Sequence, residues 1–434
     1  MIFIVLLLVF ETALMVCRIK TKSIQRSITA ILRVVSVLVL AVVATLSVIE
    51  WGFRYYALAG VLAASAAVNI IEFLRKKTRP ELRRIRIIRK TAVMLMLILL
   101  ASLPTIIFPE YKLLPTTGEY QIKTEIKYFT DESRVETYNK QGGARMLVVE
   151  FWHPVNAEGR FPLVVFSHGS FGIRSSNETL FRELASHGYI VCSIDHTYQC
   201  FYTTDKDGNT LLMDGGYANE IRRENAREDK QNSLALYRKW MGIRVADINF
   251  VIDTIQSDST EEFYRLIDTK KTGVIGHSLG GSAALGVGRV RDDIGAVIAL
   301  EAPFMCDILN VENETFVFES AEYPVPVLNV YSDSSWVHLD EWPQYAENAR
   351  LLTNSNKNAY NHHIAGVGHL SLTDLSLASP LLTHLLNGNI SSVSTKDCLA
   401  HLNKICLVFF DCFLKDNEPF DINSFTLCYK DYVS

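Results

Sequence analysis

The sequence predicts an α/β domain, with a mostly parallel sheet and helices on both faces, preceded by about four transmembrane helices. Three observations support this fold class. Long apolar segments are concentrated in residues 1–112, which we assign to a membrane domain. Residues 113–434 alternate short buried-strand patterns with amphipathic helix patterns, as parallel sheets with helical crossovers do. A glycine-rich turn at residues 276–281 connects one such strand to a helix.

The length of the chain is compatible with one large domain or two ordinary ones. The chain has 434 residues, of which 49% are hydrophobic and 21% charged, so a large core is available. The net charge of −4 gives no reason to expect a nucleic-acid partner. The eight cysteines form no C-x-x-C pair, and no other ligand cluster stands out. We therefore expect neither a metal ion nor a cofactor.

Four apolar segments are candidates for membrane spans: residues 2–16, 28–49, 55–71 and 91–108. The last three have roughly the 17–25 residues that cross a bilayer as a helix. The first is short, but it lacks the basic start and the cleavage site of a signal peptide. We predict that all four are retained.

Two charges, Glu11 and Arg33, lie well inside the first two apolar segments. A charge within the membrane is a functional candidate by default. Because each is within reach of a helix end or of the other, we expect a structural pairing instead.

Loop charges predict the orientation of these segments. Residues 18–26 and 75–90 are rich in Lys and Arg, whereas residues 50–54 form a short and nearly uncharged loop. Basic loops remain on the cytoplasmic side. The rule therefore predicts a multi-pass protein of the cell membrane in which everything after Phe108 is extracytoplasmic.

The second domain follows a strand–helix order. Residues 197–241 are long, polar and charged, and they form either a cap over a pocket or a solvated surface excursion. The predicted strands cover residues 121–129, 145–153, 161–167, 189–194, 272–275, 295–300, 325–331 and 359–364, and the predicted helices cover 178–187, 246–255, a segment from 282 onward and 370–386.

The turn Gly276-His277-Ser278-Leu279-Gly280 has the G-x-S-x-G spacing of a nucleophile elbow. In such an elbow the serine lies on a strained turn between strand and helix, and its Oγ projects from the sheet. Gly276 and Gly280 leave room for the backbone to turn. Ser278 is therefore the candidate nucleophile of an α/β-hydrolase fold.

A serine hydroxyl needs a base, and in this fold the chain order is serine, acid, histidine. His369 fits the base, because it lies in a glycine-flanked loop after the last predicted strand. His362 and His363 are competitors, but both lie inside that strand.

Two carboxylates are candidates for the acid. Glu301 ends the strand after the elbow strand, and Asp333 ends the next one. Asp307 is a weaker third candidate. Fold geometry alone favours Asp333, but it does not exclude Glu301, and both main candidates remain open.

The strand at residues 161–167 ends in His168-Gly169, where this fold supplies one backbone N–H of the oxyanion hole. We assign that donor to Ser170 and the second to Leu279, which follows the nucleophile. We expect His168 to orient the loop by hydrogen bonding and not to act as a base.

The second domain resembles the plasma-type platelet-activating factor acetylhydrolases over roughly residues 145–380. The resemblance implies a metal-free esterase acting on a phospholipid or another lipid ester, with the acid at the position of Glu301, where the family has aspartate. The chain departs from the family in its membrane spans and in Ser170, where the family has leucine. The matching stretches are residues 161–169, 171–174, 184–191, 194–196, 276–281, 298–302 and 368–369.

The sequence thus predicts a membrane-anchored serine ester hydrolase. Two alternatives remain open: a carboxylesterase or polyester hydrolase acting on soluble esters, and a non-catalytic membrane sensor with a hydrolase-like ectodomain.

Overall fold

The computed structural model describes residues 2–21, 26–75, 84–139, 142–258, 261–353, 358–388 and 391–425. The chain divides into two compact units. The first comprises Met1–Lys112 with Ala378–Leu382, and the second comprises Leu113–Leu377 with Thr383–Ser434.

The first unit is helical. A small core of aliphatic side chains, including Leu40, Leu58, Leu62 and Ile98, lies between the helices. Most of the other large apolar side chains face outward, as expected for helices in a bilayer. The helices are α1 (Ile2–Thr21), α2 (Arg26–Thr45), α3 (Phe53–Leu74), α4 (Arg84–Ala101) and α5 (Leu103–Ile107).

The prediction of four spans is corrected to three. Within the described residues, the helices long and apolar enough to cross a membrane are Ile2–Lys20, Ile28–Thr45 and Phe53–Leu74. Helix α4 has four basic residues among its first seven and ends at Ala101, so its apolar part is short. Helix α5 then starts with a proline in its first turn. Most of the basic loop before α4 lies outside the described residues.

The charges inside the first two helices are paired, as expected. Arg33 Nη2 donates a hydrogen bond to Glu11 Oε2 at 2.8 Å, and both residues are buried. Each charge therefore compensates the other away from water.

The second unit is built around an eight-stranded sheet with the strand order β1-β2-β4-β3-β7-β8-β11-β12. Strand β2 pairs antiparallel with β1 and β4, and all other neighbours are parallel. The mostly parallel sheet confirms the predicted fold class. The strands are β1 (Ile122–Val135), β2 (Ala144–Pro154), β3 (Phe161–Ser167), β4 (Ile190–Asp195), β5 (Tyr202–Thr204), β6 (Thr210–Leu212), β7 (Ile267–His277), β8 (Ile294–Leu300), β9 (Ile308–Glu312), β10 (Thr315–Phe318), β11 (Val327–Tyr331) and β12 (Ala359–His363).

Helices cover both faces of the sheet, because alternate strand residues point to opposite sides. Leu163 and Val165 of β3 belong to the core under α8 and α9, whereas Val164 and Phe166 belong to the core under α6 and α14. The helices are α6 (Glu178–Ser186), α7 (Gly215–Arg223), α8 (Lys230–Ser257), α9 (Leu279–Val290), α10 (Asp333–Trp336), α11 (Ala346–Thr353), α12 (Leu375–Ala378), α13 (Pro380–Asn387) and α14 (Thr395–Lys415).

The segment 197–241 contains the β5–β6 hairpin, α7 and the first part of α8. Helix α8 is continuous through the boundary that the sequence suggested. Tyr217 and Tyr237 of this segment are fully buried in the core. Its second half therefore packs as part of the domain and is not a solvated excursion.

Candidate active site

Ser278 lies on the sharp turn between β7 and α9, with φ 54° and ψ −126°. A residue other than glycine in this region carries backbone strain. The neighbouring glycines are sterically required. A Cβ on Gly276 would lie 2.2 Å from the Gly280 carbonyl oxygen, and one on Gly280 would lie 2.0 Å from that of Ser167. The turn therefore has the geometry of a nucleophile elbow.

Backbone hydrogen bonds fix this turn. The N–H of Ser278 donates to the Leu300 carbonyl at 2.8 Å, which ties the elbow to the end of β8. Leu279 is the first residue of α9, where backbone N–H groups have no partner within the helix. That N–H is thus available to a developing negative charge beside Ser278.

Glu301 follows β8 and is 1% exposed. Its Oε2 accepts a hydrogen bond from the Ser332 N–H at 2.8 Å, and its Oε1 lies 3.9 Å from His369 Nδ1. Burial raises the pKa of the Glu301 carboxyl, but His369, Ser332 and Ser335 outweigh it and lower the pKa overall. An ionised carboxylate therefore faces the imidazole.

Asp333, the alternative acid, is bonded elsewhere. Its carboxylate accepts hydrogen bonds from His363 Nε2 at 2.8 Å and from the Gly366 N–H at 2.9 Å. The His363 ring also stacks on Trp336, with the centroids 4.5 Å apart. Asp333 therefore holds the start of the loop that leads to His369. Asp307, the third candidate, pairs with Arg289.

The His369 backbone is held at both ends. Its N–H donates to Ser334 Oγ at 3.0 Å, and its carbonyl accepts from His277 Nε2 at 3.1 Å. Burial lowers the pKa of His277 to about 3, so this ring is neutral. Sequence analysis missed the role of His277, for which the G-x-S-x-G pattern gives no signal because its second position is variable. His362 instead contacts His401.

The loop after β3 lies against the elbow. A Cβ on Gly169 would be 3.4 Å from Ser278 Cβ, so the Gly169–Ser170 backbone borders the candidate nucleophile. The Tyr217 hydroxyl donates to the Ser170 carbonyl at 3.3 Å. His168 is fully buried and its Nδ1 is 2.6 Å from the Gly169 carbonyl oxygen. Burial holds the pKa of His168 well below its usual range.

One group of possible metal ligands occurs among the described residues. His168, Asp195 and Cys200 have donor atoms within 4.8 Å of one another. The Asp195 carboxylate, however, already accepts from Arg174 Nη1 at 2.5 Å and from Thr203 Oγ1 at 2.7 Å. With a guanidinium on that carboxylate, the donor set does not fit a cation.

The sheet, the elbow and the histidine loop together define an α/β hydrolase. The fold is similar to that of a ferulic acid esterase from Streptomyces cinnamoneus, with a TM-score of 0.52 and 21% identity, over 70% of this chain and 93% of that one. The chain belongs to the family described as platelet-activating factor acetylhydrolase, isoform II, which matches residues 136–424.

Curated relatives agree with this family. The chain is 21% identical to the platelet-activating factor acetylhydrolase of Cavia porcellus, over 62% of this chain and 61% of that protein. It is 26% identical to the Canis lupus familiaris protein of the same name, over 30% of this chain and 33% of that one. The matches thus span about three fifths and one third of these relatives.

Proposed function

We propose that this protein is a membrane-anchored serine ester hydrolase that cleaves a carboxylic ester of a phospholipid or another lipid. The observation that carries the proposal is the strained Ser278 elbow, on the same sheet as a buried carboxylate that faces His369. The strained turn presents the serine side chain, and a histidine–carboxylate pair nearby is the arrangement that activates a hydroxyl nucleophile.

In the proposed reaction, Ser278 Oγ attacks the ester carbonyl carbon while His369 removes the hydroxyl proton. Backbone N–H groups of Ser170 and Leu279 stabilise the negative charge that develops on the carbonyl oxygen. His369 then gives its proton to the leaving alcohol, and an acyl-enzyme remains. Water attacks this ester by the same steps in reverse, which releases the acid and restores Ser278.

We assign the triad acid to Glu301. It is the buried carboxylate near His369, and one of its oxygens is fixed by Ser332. A carboxylate accepting from Nδ1–H keeps Nε2 free to accept the serine proton. Asp333 has a different partner in His363, so its proposed role is to hold the loop.

The family and the names of the curated relatives support a lipid ester as the substrate. An assay has to distinguish this proposal from two alternatives: an esterase that acts on soluble esters, and a hydrolase-like domain without catalytic activity. The first test uses the full chain in detergent micelles with esters from acetyl to palmitoyl, beside Ser278→Ala. Ser278-dependent turnover that is highest on short-chain phospholipid esters is expected.

Two results would contradict the proposal. Ser278-dependent turnover of small soluble esters alone would favour a carboxylesterase. No turnover and no labelling of the folded chain by a fluorophosphonate probe would favour the sensor.

The apolar helices α1 to α3 support membrane anchoring. The outer location expected from the sequence required four crossings. With the three crossings α1 to α3, the same charge rule puts the residues after Leu74 on the cytoplasmic side, and we propose that location for the hydrolase unit. Protease added to intact cells should leave the hydrolase unit intact and cleave it only after lysis; cleavage in intact cells would refute the cytoplasmic location.

A further inference from the structure

A second Ser–His–Asp arrangement lies next to the candidate active site. Ser167 Oγ is 2.8 Å from His196 Nε2, and His196 Nδ1 is 2.8 Å from Asp247 Oδ2. All three residues are fully buried, so no substrate reaches Ser167. Ser167 is, however, the last residue of β3 and directly precedes the loop that carries Ser170. We call these three residues the buried relay; it holds the residue that leads into the loop.

Charges around Asp247 determine where the protons lie. Arg145 donates to both carboxylate oxygens, at 3.0 and 2.6 Å, and Arg134 donates to Oδ1 at 2.8 Å. These cations keep Asp247 ionised, so its Oδ2 accepts a hydrogen bond from the Nδ1–H of His196. His196 Nε2 then carries no proton and accepts from the Ser167 hydroxyl.

The tautomer of His168 is set by the backbone of His196. The backbone N–H of His196 donates to His168 Nε2 at 3.3 Å. Because Nε2 is the acceptor, Nδ1 carries the proton and donates to the Gly169 carbonyl at 2.6 Å. Arg244 donates from Nη1 to the His168 carbonyl, and its Nε donates to Gln199 at 2.8 Å. The Gly169 carbonyl also accepts from the Gly172 N–H at 3.1 Å, so donors fix both carbonyls that precede Ser170.

Fixing the Gly169 carbonyl also fixes the Ser170 N–H. The peptide between them is trans, and in a trans peptide these two groups point in opposite directions. The carbonyl points to the His168 ring, so the N–H points away from it. The Gly169 backbone borders the Ser278 side chain, where the acyl oxygen would lie.

We propose that His168 is a positioning residue that holds the Ser170 N–H as a preformed oxyanion donor, with its tautomer set by the backbone N–H of His196. The buried contacts of Ser167 and Asp247 with the His196 ring hold that residue in place. This inference rests on the proposed ester hydrolysis. A donor fixed before the reaction needs no reorganisation when charge develops, so it acts on the transition state more than on substrate binding.

The test compares two amides at position 168 in the full chain. An asparagine places its amide nitrogen near the position of Nδ1 and can still donate to Gly169, whereas the longer glutamine reaches toward the position of Nε2. We expect His168→Gln to lower kcat by about 10-fold to 100-fold with KM unchanged. This is less than the roughly 100-fold to 1,000-fold loss on removal of an oxyanion donor, because the Gly172 N–H still holds the Gly169 carbonyl. His168→Asn should retain most of the activity.

A second readout reports the oxyanion directly. A trifluoromethyl ketone forms a tetrahedral adduct with the serine, so its inhibition constant should rise in His168→Gln by the same factor as kcat falls. Unchanged kcat in His168→Gln, or equal losses in both variants, would overturn the proposal. If His168→Gln does not fold, His168→Phe decides, because phenylalanine keeps a ring of similar shape but has no donor for the Gly169 carbonyl: a kcat equal to that of the unmodified chain would also overturn it.

The Ser278→Ala control distinguishes failure of the positioning role from failure of the proposed function. Hydrolysis that depends on Ser278 but not on His168 refutes only the positioning role. Hydrolysis that does not depend on Ser278 refutes the proposed function, and the positioning role with it.

Discussion

The choice between the two carboxylates gives the sharpest prediction. In Glu301→Gln the side-chain oxygen should remain on the Ser332 N–H, which occupies Oε2 at 2.8 Å. The amide NH2 would then take the place of Oε1 and face His369 Nδ1, 3.9 Å away. Two donors cannot bond to each other, so the imidazole would keep its proton on Nε2. That tautomer cannot accept a proton from Ser278.

The expected loss follows from this tautomer change. A histidine held in the wrong tautomer by an amide loses about 10³-fold to 10⁴-fold in kcat, equivalent to about 4 to 5.5 kcal/mol of transition-state stabilisation. The glutamine keeps the shape of the side chain and its bond to Ser332. Thermal unfolding should therefore change little while kcat collapses.

Asp333→Asn is the matched control. The asparagine oxygen can still accept from the Gly366 N–H, and the amide can face His363. Weakening one such bond costs about 1 kcal/mol of stability and should leave kcat within about threefold. The assay is kcat and KM on a short-chain ester for both full-length variants. A larger kcat loss in Asp333→Asn than in Glu301→Gln would refute the assignment.

Further predictions concern stability. Burial lowers the pKa of His168, His196, His277 and His362. The unfolded chain protonates these rings below pH 6.5 but the folded chain does not, so each histidine should cost about 1.4 kcal/mol of stability per pH unit as the pH falls from 6.5 toward 4. His362→Gln should therefore reduce the pH dependence of the free energy of unfolding, measured with denaturant, by about one proton. An unchanged slope of that free energy against pH would contradict this. Gly280→Ala should destabilise by at least about 3 kcal/mol, because its Cβ meets the Ser167 carbonyl oxygen at 2.0 Å. Gly242→Ala in α8, with nothing within 4 Å, is the control; thermal unfolding that does not distinguish the two would refute the steric argument. Arg33→Ala should lower the yield of membrane-inserted protein by leaving Glu11 unpaired, and replacing both by alanine should restore it; equal yields would argue against the pairing.

Strands and the elbow could be predicted from sequence because their signals are local. The apolar runs of β3, β4 and β8 are short and buried on both faces, so composition alone identifies them. The fourth span was predicted wrongly because apolar character continues past Ala101, whereas the helix ends there before a proline. Helix α14 was not predicted, although it buries Phe409 and Phe410 against the sheet.

The relay around His196 could not be predicted, because its parts are far apart in the chain. Ser167 ends β3, His196 follows β4 and Asp247 lies on α8. They meet because β3 and β4 are parallel neighbours, with Ser167 opposite Ile194, and because α8 packs over that end of the sheet. Sequence spacing carries neither the strand order nor the helix position.

The same limit explains why the sequence left two candidates for the triad acid. Glu301 and Asp333 follow β8 and β11, which are neighbours in the sheet, so both carboxylates arrive at the same edge. Their partners differ because of the next strand. The register of β11 with β12 sets Tyr331, two residues before Asp333, opposite His363. That register brings the histidine within reach of the Asp333 carboxylate. Glu301 is one strand further in, and its carboxylate faces His369. Strand order alone cannot distinguish the two, whereas the register of the last parallel pair does.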